Sequence, residues 1–310
     1  MRGWLRLPCL AAAATLGGCD LEEITIVEVE DVVIAEVYVN LFQNPAENEI
    51  RAFLHKTVAS GSAVDDLLSA RIVVSRSDGL TLELLAAANE GCIDLSEAAE
   101  PGACFLADPV QTLDLRPGDI LDIVVTFADG GTLMGAARLP SPFEIQRIPS
   151  ACRLDPDTLL PIYWSTSVGA WAYVNETSIQ GLPEALVLEG IQVDDDPLTL
   201  LGLSISNQDT LIVFPSEFGV FDRFDLDQDL SVRLQTGLPN STIAEVSITA
   251  VDGNYMNWAR GGNFNPSGQV RIPSLRGDGA GVFGATLNRR FVVSISDRAS
   301  LLPDCPIAGL

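Results

Sequence analysis

Apolar residues in this chain recur mostly at every second position, in runs of five to ten residues separated by turn-forming residues. That alternation is the period of a strand with one face in a core and one in water. In the first half it predicts strands over Val32 to Leu41, Ile50 to Val58, Ala70 to Ser75, Leu80 to Leu85, Ile120 to Phe127 and Thr132 to Leu139. β-branched residues are frequent in these runs. Ser77-Asp78-Gly79 and Asp129-Gly130-Gly131 supply the positive φ that tight hairpins require. So many short strands in about 110 residues predict a β-sandwich.

Pro140-Ser141-Pro142 removes two ladder donors within three residues, which places a domain junction there. Beyond it the same style returns, with strands over Leu160 to Trp164, Ala170 to Val174, Leu198 to Ile205, Thr210 to Phe214, Leu230 to Gln235, Ala244 to Val251 and Arg290 to Ser296. Helical periodicity is weak, and only Val64 to Ala70 and Glu184 to Leu188 suggest short helices. Residues 253–284 carry eight glycines together with Tyr255, Trp258, Phe264 and Phe283. This density disfavours a long strand and predicts an irregular flap whose aromatics anchor it to a sandwich edge. The expected class is all-β, with two sandwiches in tandem over 32–140 and 141–310.

The N-terminus departs from the alternating pattern. Arg2 and Arg6 precede an apolar run from Leu7 to Leu16, too short for a membrane-spanning helix of about 20 residues. It closes on Leu16-Gly17-Gly18-Cys19. These four residues resemble the lipobox of bacterial lipoproteins, which implies cleavage after residue 18 and a diacylglycerol on the Cys19 thiol. The alternative is an ordinary cleaved signal with Cys19 left as a thiol or disulfide partner. Residues 20–31 hold six acids and no base, which predicts a solvated tether over 19–31. Anchoring then rests on lipid chains, two or three of which hold almost permanently.

Charge narrows the partners. The chain has 42 acidic residues against 18 Lys plus Arg, a net charge of −24. Losing Arg2 and Arg6 with the signal leaves 42 against 16, or −26. Such a surface repels nucleic acid and anionic headgroups and leaves calcium or a basic partner as candidates. Beyond the anchor, Cys92, Cys104, Cys152 and Cys305 predict two disulfides in an exported chain, and four cysteines allow three connectivities. The preferred pairing joins Cys92 to Cys104 across Pro101-Gly102, and Cys152 to Cys305 across the second half. Loop entropy gives about 3 kcal/mol for the short loop and about 5 kcal/mol for the long one, both upper estimates. With no CxxC spacing and one histidine, a metal site is the weaker reading of these cysteines.

Catalytic chemistry finds little support. His55 sits in the mixed run Phe53-Leu54-His55-Lys56-Thr57, which reads as a strand, and no GxSxG, P-loop or HExxH occurs. No cofactor is implied. A glycan hydrolase needs only two suitably spaced carboxylates, so it stands as the alternative; its mark is a cleft with two acids, one of them raised in pKa by burial. Asp225, Asp227 and Asp229 alternate like the first ligands of a calcium loop, but Leu230 stands where glycine is needed and Thr236 where glutamate is needed. They read as a solvated turn, with a calcium-stabilised adhesion module as the rival. Trp164, Trp171, Tyr173, Tyr255 and Trp258 could line a ring-binding surface, although core packing is the simpler account.

Two stretches carry a family likeness. Leu115-Arg116-Pro117-Gly118-Asp119, then Asp129-Gly130 and Arg138-Leu139-Pro140, resembles the first domain of the bacterial lipoproteins grouped as domain of unknown function forty-two forty-nine. Asn263-Phe264-Asn265-Pro266-Ser267-Gly268, with Gly277 and Gly281-Val282-Phe283-Gly284-Ala285, is similar to that family's glycine-rich C-terminal signature. The resemblance implies a transthyretin-like or carboxypeptidase-regulatory-like sandwich plus a second β-domain, in an envelope lipoprotein with no catalytic residues to carry over. It also implies an accessory role beside TonB-dependent outer-membrane receptors. Asp20 resembles an inner-membrane retention signal, which leaves the choice of membrane open.

Overall fold

The computed structural model describes residues 31–57, 64–92, 101–204, 206–219, 228–260 and 271–307. The signal, Cys19, most of the tether, Asp225, Asp227 and the Asn263 to Gly268 stretch lie outside the described residues. Residues 31–310 form one compact unit, and the architecture is all-β.

The first seven strands are β1 (Val33–Leu41), β2 (Glu49–Lys56), β3 (Arg71–Arg76), β4 (Thr81–Ala87), β5 (Gly102–Ala107), β6 (Ile120–Thr126) and β7 (Thr132–Arg138). Then follow β8 (Ala151–Leu154), β9 (Leu160–Tyr163), β10 (Ala172–Gln180), β11 (Leu198–Ser204), β12 (Leu211–Phe214), β13 (Thr242–Val251), β14 (Leu275–Gly277) and β15 (Gly279–Ile295). Among the described residues, five short α-helices punctuate them: α1 (Val64–Leu68), α2 (Pro109–Thr112), α3 (Leu182–Leu186), α4 (Gln228–Leu234) and α5 (Gly253–Arg260).

Alternation settles most strands as expected. In β1, Ala35, Val37, Val39 and Leu41 are buried, while Glu36, Tyr38 and Asn40 take the other face. The β3–β4 and β6–β7 turns use Gly79 and Gly130 at φ 100° and 89°. In the second of these, Asp129 Oδ1 accepts a hydrogen bond from the Gly131 amide at 2.9 Å.

Strand pairing runs β1-β2-β5-β4-β3-β6-β7-β14-β15, and β15 then pairs in parallel with β1, so hydrogen bonding among these nine strands closes on itself. Closure leaves none of the nine as a bare edge along its whole length, a protection that open sheets lack. β15 continues past this ring to pair with β13 and β8, and β13 leads on to β10 and β11. A two-stranded sheet of β9 and β12 stands apart from this path. At Pro140-Ser141-Pro142 the strand run stops. Hydrogen bonding nevertheless links the halves, through eight β1–β15 pairs from Ile34↔Ala280 to Leu41↔Leu287. One apolar cluster likewise spans Val37, Ile72 and Leu121 of the first half and Leu160, Val246 and Phe291 of the second.

Two sequence expectations need correction. Residues 230–235 are not a strand, because α4 covers Gln228–Leu234. Leu230 and Leu234 bury one turn apart, with Asp229 in the first turn and Arg233 in the last, where each charge suits the helix dipole. Nor is 253–284 irregular throughout where it is described. It opens as helix α5, where the Asp252 carboxylate accepts from the Tyr255 amide at 2.8 Å, and it ends inside the 17-residue β15.

Glycine serves close approach here rather than looseness. At Gly277 and Gly281, with φ of 143° and 153°, a Cβ would lie 2.0 Å from the Thr132 and Ala35 carbonyl oxygens. The expected aromatic anchoring is present. Tyr255 meets Tyr38 edge-to-face at 5.5 Å, and Trp258 Nε1 donates to Glu36 at 3.0 Å. The Arg271 guanidinium lies 5.0 Å over the Trp258 ring, the distance of a cation–π contact.

Candidate functional site

Residues 143–150 run from the interhalf junction to β8 and form one wall of a cleft. Phe143 is buried, Ile145 bridges to Trp164, and the Gln146 amide donates to the Tyr163 carbonyl at 2.8 Å. The Ser165 amide donates to the Glu144 carbonyl at 3.0 Å, and the Ser165 hydroxyl accepts from the Glu144 amide at the same distance. The Val292 amide binds the Ser150 carbonyl at 3.0 Å, where β8 joins β15. Arg147 holds φ at 62°, a left-handed conformation that costs a non-glycine residue on the order of 1 kcal/mol.

The opposite wall is β15. Between the walls lies a cavity of about 380 Å³ lined by Gln43, Glu144, Ile148, Ser150, Arg289 and Phe291 among others. A second cavity of about 220 Å³ lies beside Arg147, Pro161 and Tyr163, and Ile148 borders both. The larger volume falls within the range of small-molecule pockets.

Arg289 is the chemically distinctive group. It is half-buried, and its Nε donates to the Phe143 carbonyl at 3.2 Å. Among the described residues, no carboxylate reaches ion-pair distance of its guanidinium. Burial pushes its pKa down, and the field of Glu144 offsets part of that effect. Its neighbour Arg290 also lines the larger cavity, but it pairs with Glu47 and, at 3.8 Å, with Glu245.

A disulfide braces this region. Cys152, two residues after Ser150, is bonded to Cys305, and the Cys305 amide donates to the Arg153 carbonyl at 2.8 Å. Cys92 and Cys104 form the other disulfide, tying the segment after β4 to β5. Both match the preferred pairing.

The remaining candidates scatter. His55 lies half-buried in β2 with its ring stacked on Phe53 at 5.7 Å. Asp229 is exposed in the first turn of α4. Among the described residues, no three His, Cys, Asp or Glu side chains group as a metal site. Trp164 and Tyr173 are core residues 5.3 Å apart, whereas Trp171 is 50% exposed beside Gly253. These aromatics therefore do not assemble into one surface.

Two acids are raised. Asp252, beneath α5, is pushed up to about 6 by burial, against the pull of backbone amides. Glu176 is raised by partial burial and by Glu245. Neither lines the two cavities described above.

Sequence reasoning did not single out Arg289 or Ser150. Arg289-Arg290 in a chain this acidic was the available signal, but the pair reads locally as the start of a strand. No helix among the described residues is long and apolar enough to cross a membrane.

A scan of protein-family models matches none, and a search of curated proteins likewise returns no match. Among solved structures, the chain is similar to fibronectin(III)-like modules of Clostridium thermocellum CbhA. That match has 9% identity over 85% of this chain and 90% of the other, with a TM-score of 0.20. It is also similar to the two tandem V-type regions of VCBP3, a v-region-containing chitin binding protein. There the identity is 8%, over 83% of this chain and 99% of the other, with a TM-score of 0.16. At these scores neither likeness bears on ligand or activity.

Proposed function

We infer that this chain is a lipid-anchored, non-catalytic lipoprotein of a bacterial cell envelope, and that its β-rich body is a binding or accessory module. The observation that carries the reading is Leu16-Gly17-Gly18-Cys19 behind a short apolar run with Arg2 and Arg6 ahead of it. Two disulfides in the body support export into an oxidising compartment. Cys19 takes the lipid, and residues 19–31 lead as an acidic tether to β1. The likeness of Leu115 to Asp119 and of the glycine-rich stretch to domain of unknown function forty-two forty-nine favours the outer membrane and a TonB-dependent receptor as the protein partner.

The test has two parts. Mass spectrometry of the mature N-terminus is expected to find a diacylglycerol on Cys19, and Cys19→Ser to move the protein into the soluble fraction. An unmodified polypeptide released to the medium overturns the anchor. Mild crosslinking of growing cells is expected to capture an envelope protein. Recovery of the chain alone under several growth conditions overturns the accessory role.

A further inference from the structure

The reading as a binding module leaves the ligand class open, and the inference here rests on that reading. The geometry points to the cleft beside Arg289 as a site for a monocarboxylate with an apolar substituent, a class that includes the carboxyl terminus of a peptide.

Charge satisfaction elsewhere in the molecule sets the standard. Arg76, Arg153 and Arg233 have side chains only 14–15% exposed, and each is closed by two carboxylates. The pattern follows from physics, since a shielded guanidinium without a counter-charge has lost water and gained nothing. Arg289 breaks it. The Phe143 carbonyl engages only Nε, which fixes the plane of the guanidinium and leaves the end-on Nη1 and Nη2 pair without a protein partner among the described residues. That pair matches the two oxygens of a carboxylate, held by parallel charge-assisted hydrogen bonds.

The surroundings select further. Ile145, Ile148 and Pro149 add apolar patches to an otherwise mainly polar lining, enough for a small aliphatic substituent, and Ser150 borders the same cavity. Glu144 on the same lining and a net charge of −24 penalise ligands with two or three negative charges. Arg290 also lines the cavity, but Glu47 and Glu245 already offset its charge, so Arg289 supplies the one uncompensated guanidinium and a monoanion is favoured over phosphate. The Cys152–Cys305 bond and the β8–β15 pairing hold the wall before a ligand arrives, which lowers the ordering cost of binding.

Titration of the full-length protein in detergent tests this, with N-acetylleucine, its neutral amide N-acetylleucinamide, and inorganic phosphate as probes. The acid is expected to bind at least about tenfold more tightly than either the amide or phosphate. Arg289→Gln is expected to remove that preference, and Ile148→Trp, which fills the cavity, to abolish binding of the acid. Thermal melts establish that each variant is folded. If Arg289→Gln does not fold, Ile148→Trp and the acid-to-amide ratio of the natural protein decide the matter. Equal affinity for acid and amide, tighter binding of phosphate, no binding of the acid, or unchanged binding in a folded Arg289→Gln protein overturns the site. A failed titration with an envelope protein still captured by crosslinking discards the carboxylate and keeps the binding module; the opposite result discards the protein partner alone.

Discussion

Arg76 and Arg289 sit in opposite halves of the molecule, and their surroundings differ in one decisive respect. Arg76 donates to Asp78 at 2.8 and 2.9 Å, to Asp119 at 2.5 Å and to the Asp114 carbonyl at 2.9 Å. It locks the β3–β4 turn to the loop before β6. Arg289, half-buried, meets one carbonyl and an open cavity. One residue type therefore serves structure where the chain supplies its counter-charges, and offers itself to a ligand where it does not. The same contrast explains the Leu115-Arg116-Pro117-Gly118-Asp119 motif. Asp119 accepts from both Arg76 and the Arg116 amide, and its carbonyl accepts from Leu139 at 2.8 Å.

The largest expected effect comes from removing the brace beside the cleft. The double change Cys152→Ser and Cys305→Ser opens a loop with a sequence separation of 153 residues and is expected to cost up to about 5 kcal/mol in denaturant unfolding. Cys92→Ser with Cys104→Ser, across a separation of 12, is expected to cost up to about 3 kcal/mol. Equal losses would show that the long disulfide does not set the stability of the second half.

A matched pair of substitutions breaks or keeps the arginine contrast directly. Arg76→Gln leaves Asp78 and Asp119 facing each other without their cation and is expected to lose about 2 kcal/mol in thermal or denaturant melts. Arg289→Gln surrenders one hydrogen bond but also a desolvated charge, so its stability is expected to stay within about 0.5 kcal/mol of the natural protein. A loss at Arg289 as large as that at Arg76 would make both structural.

Asp252 sharpens the comparison from the acidic side. It is 3% exposed and, like Arg289, has no ion pair among the described residues, but no described cavity reaches it. Its folded pKa of about 6 lies above the ordinary 3.8, so below about pH 4 the group is protonated in both states and has no net effect. As pH rises from 4 to 6 the unfolded chain ionises first and the folded state loses stability. Asp252→Asn, which keeps an acceptor for the Tyr255 amide, is expected to gain about 1 to 2 kcal/mol at pH 7, an advantage that fades on acidification to pH 4. Melting curves of both proteins from pH 4 to 7 check this, and an advantage that stays constant with pH would sink it.

Much of the fold was legible locally. The β1 alternation, the Gly79 and Gly130 turns and α1 follow from residues within one element or its neighbours. β5 and β8 escaped notice because their cores, Gly102 to Ala107 and Ala151 to Leu154, are too short and too mixed to alternate visibly. The alternating pattern marks β15 only from Arg290 onward, because glycine weakens strand propensity. In the folded chain Gly281 is what allows β1 to approach at all. Of the cleft, only the disulfide was legible, since cysteine parity in an exported chain reports a constraint without needing a geometry.

Taken by itself, the sequence determined the all-β class, the turn positions, the acidic surface and the preferred cysteine pairing. Each depends on residue chemistry that acts over a few positions or through composition alone. Tertiary structure alone decided that β1 pairs with β15 and that residues 228–234 coil into a helix. It also decided that Arg76 pairs with two acids while, among the described residues, no carboxylate comes within ion-pair distance of Arg289. A counter-charge and a parallel strand partner are properties of distance in space, and residues some 240 positions apart along a chain carry no local mark of meeting.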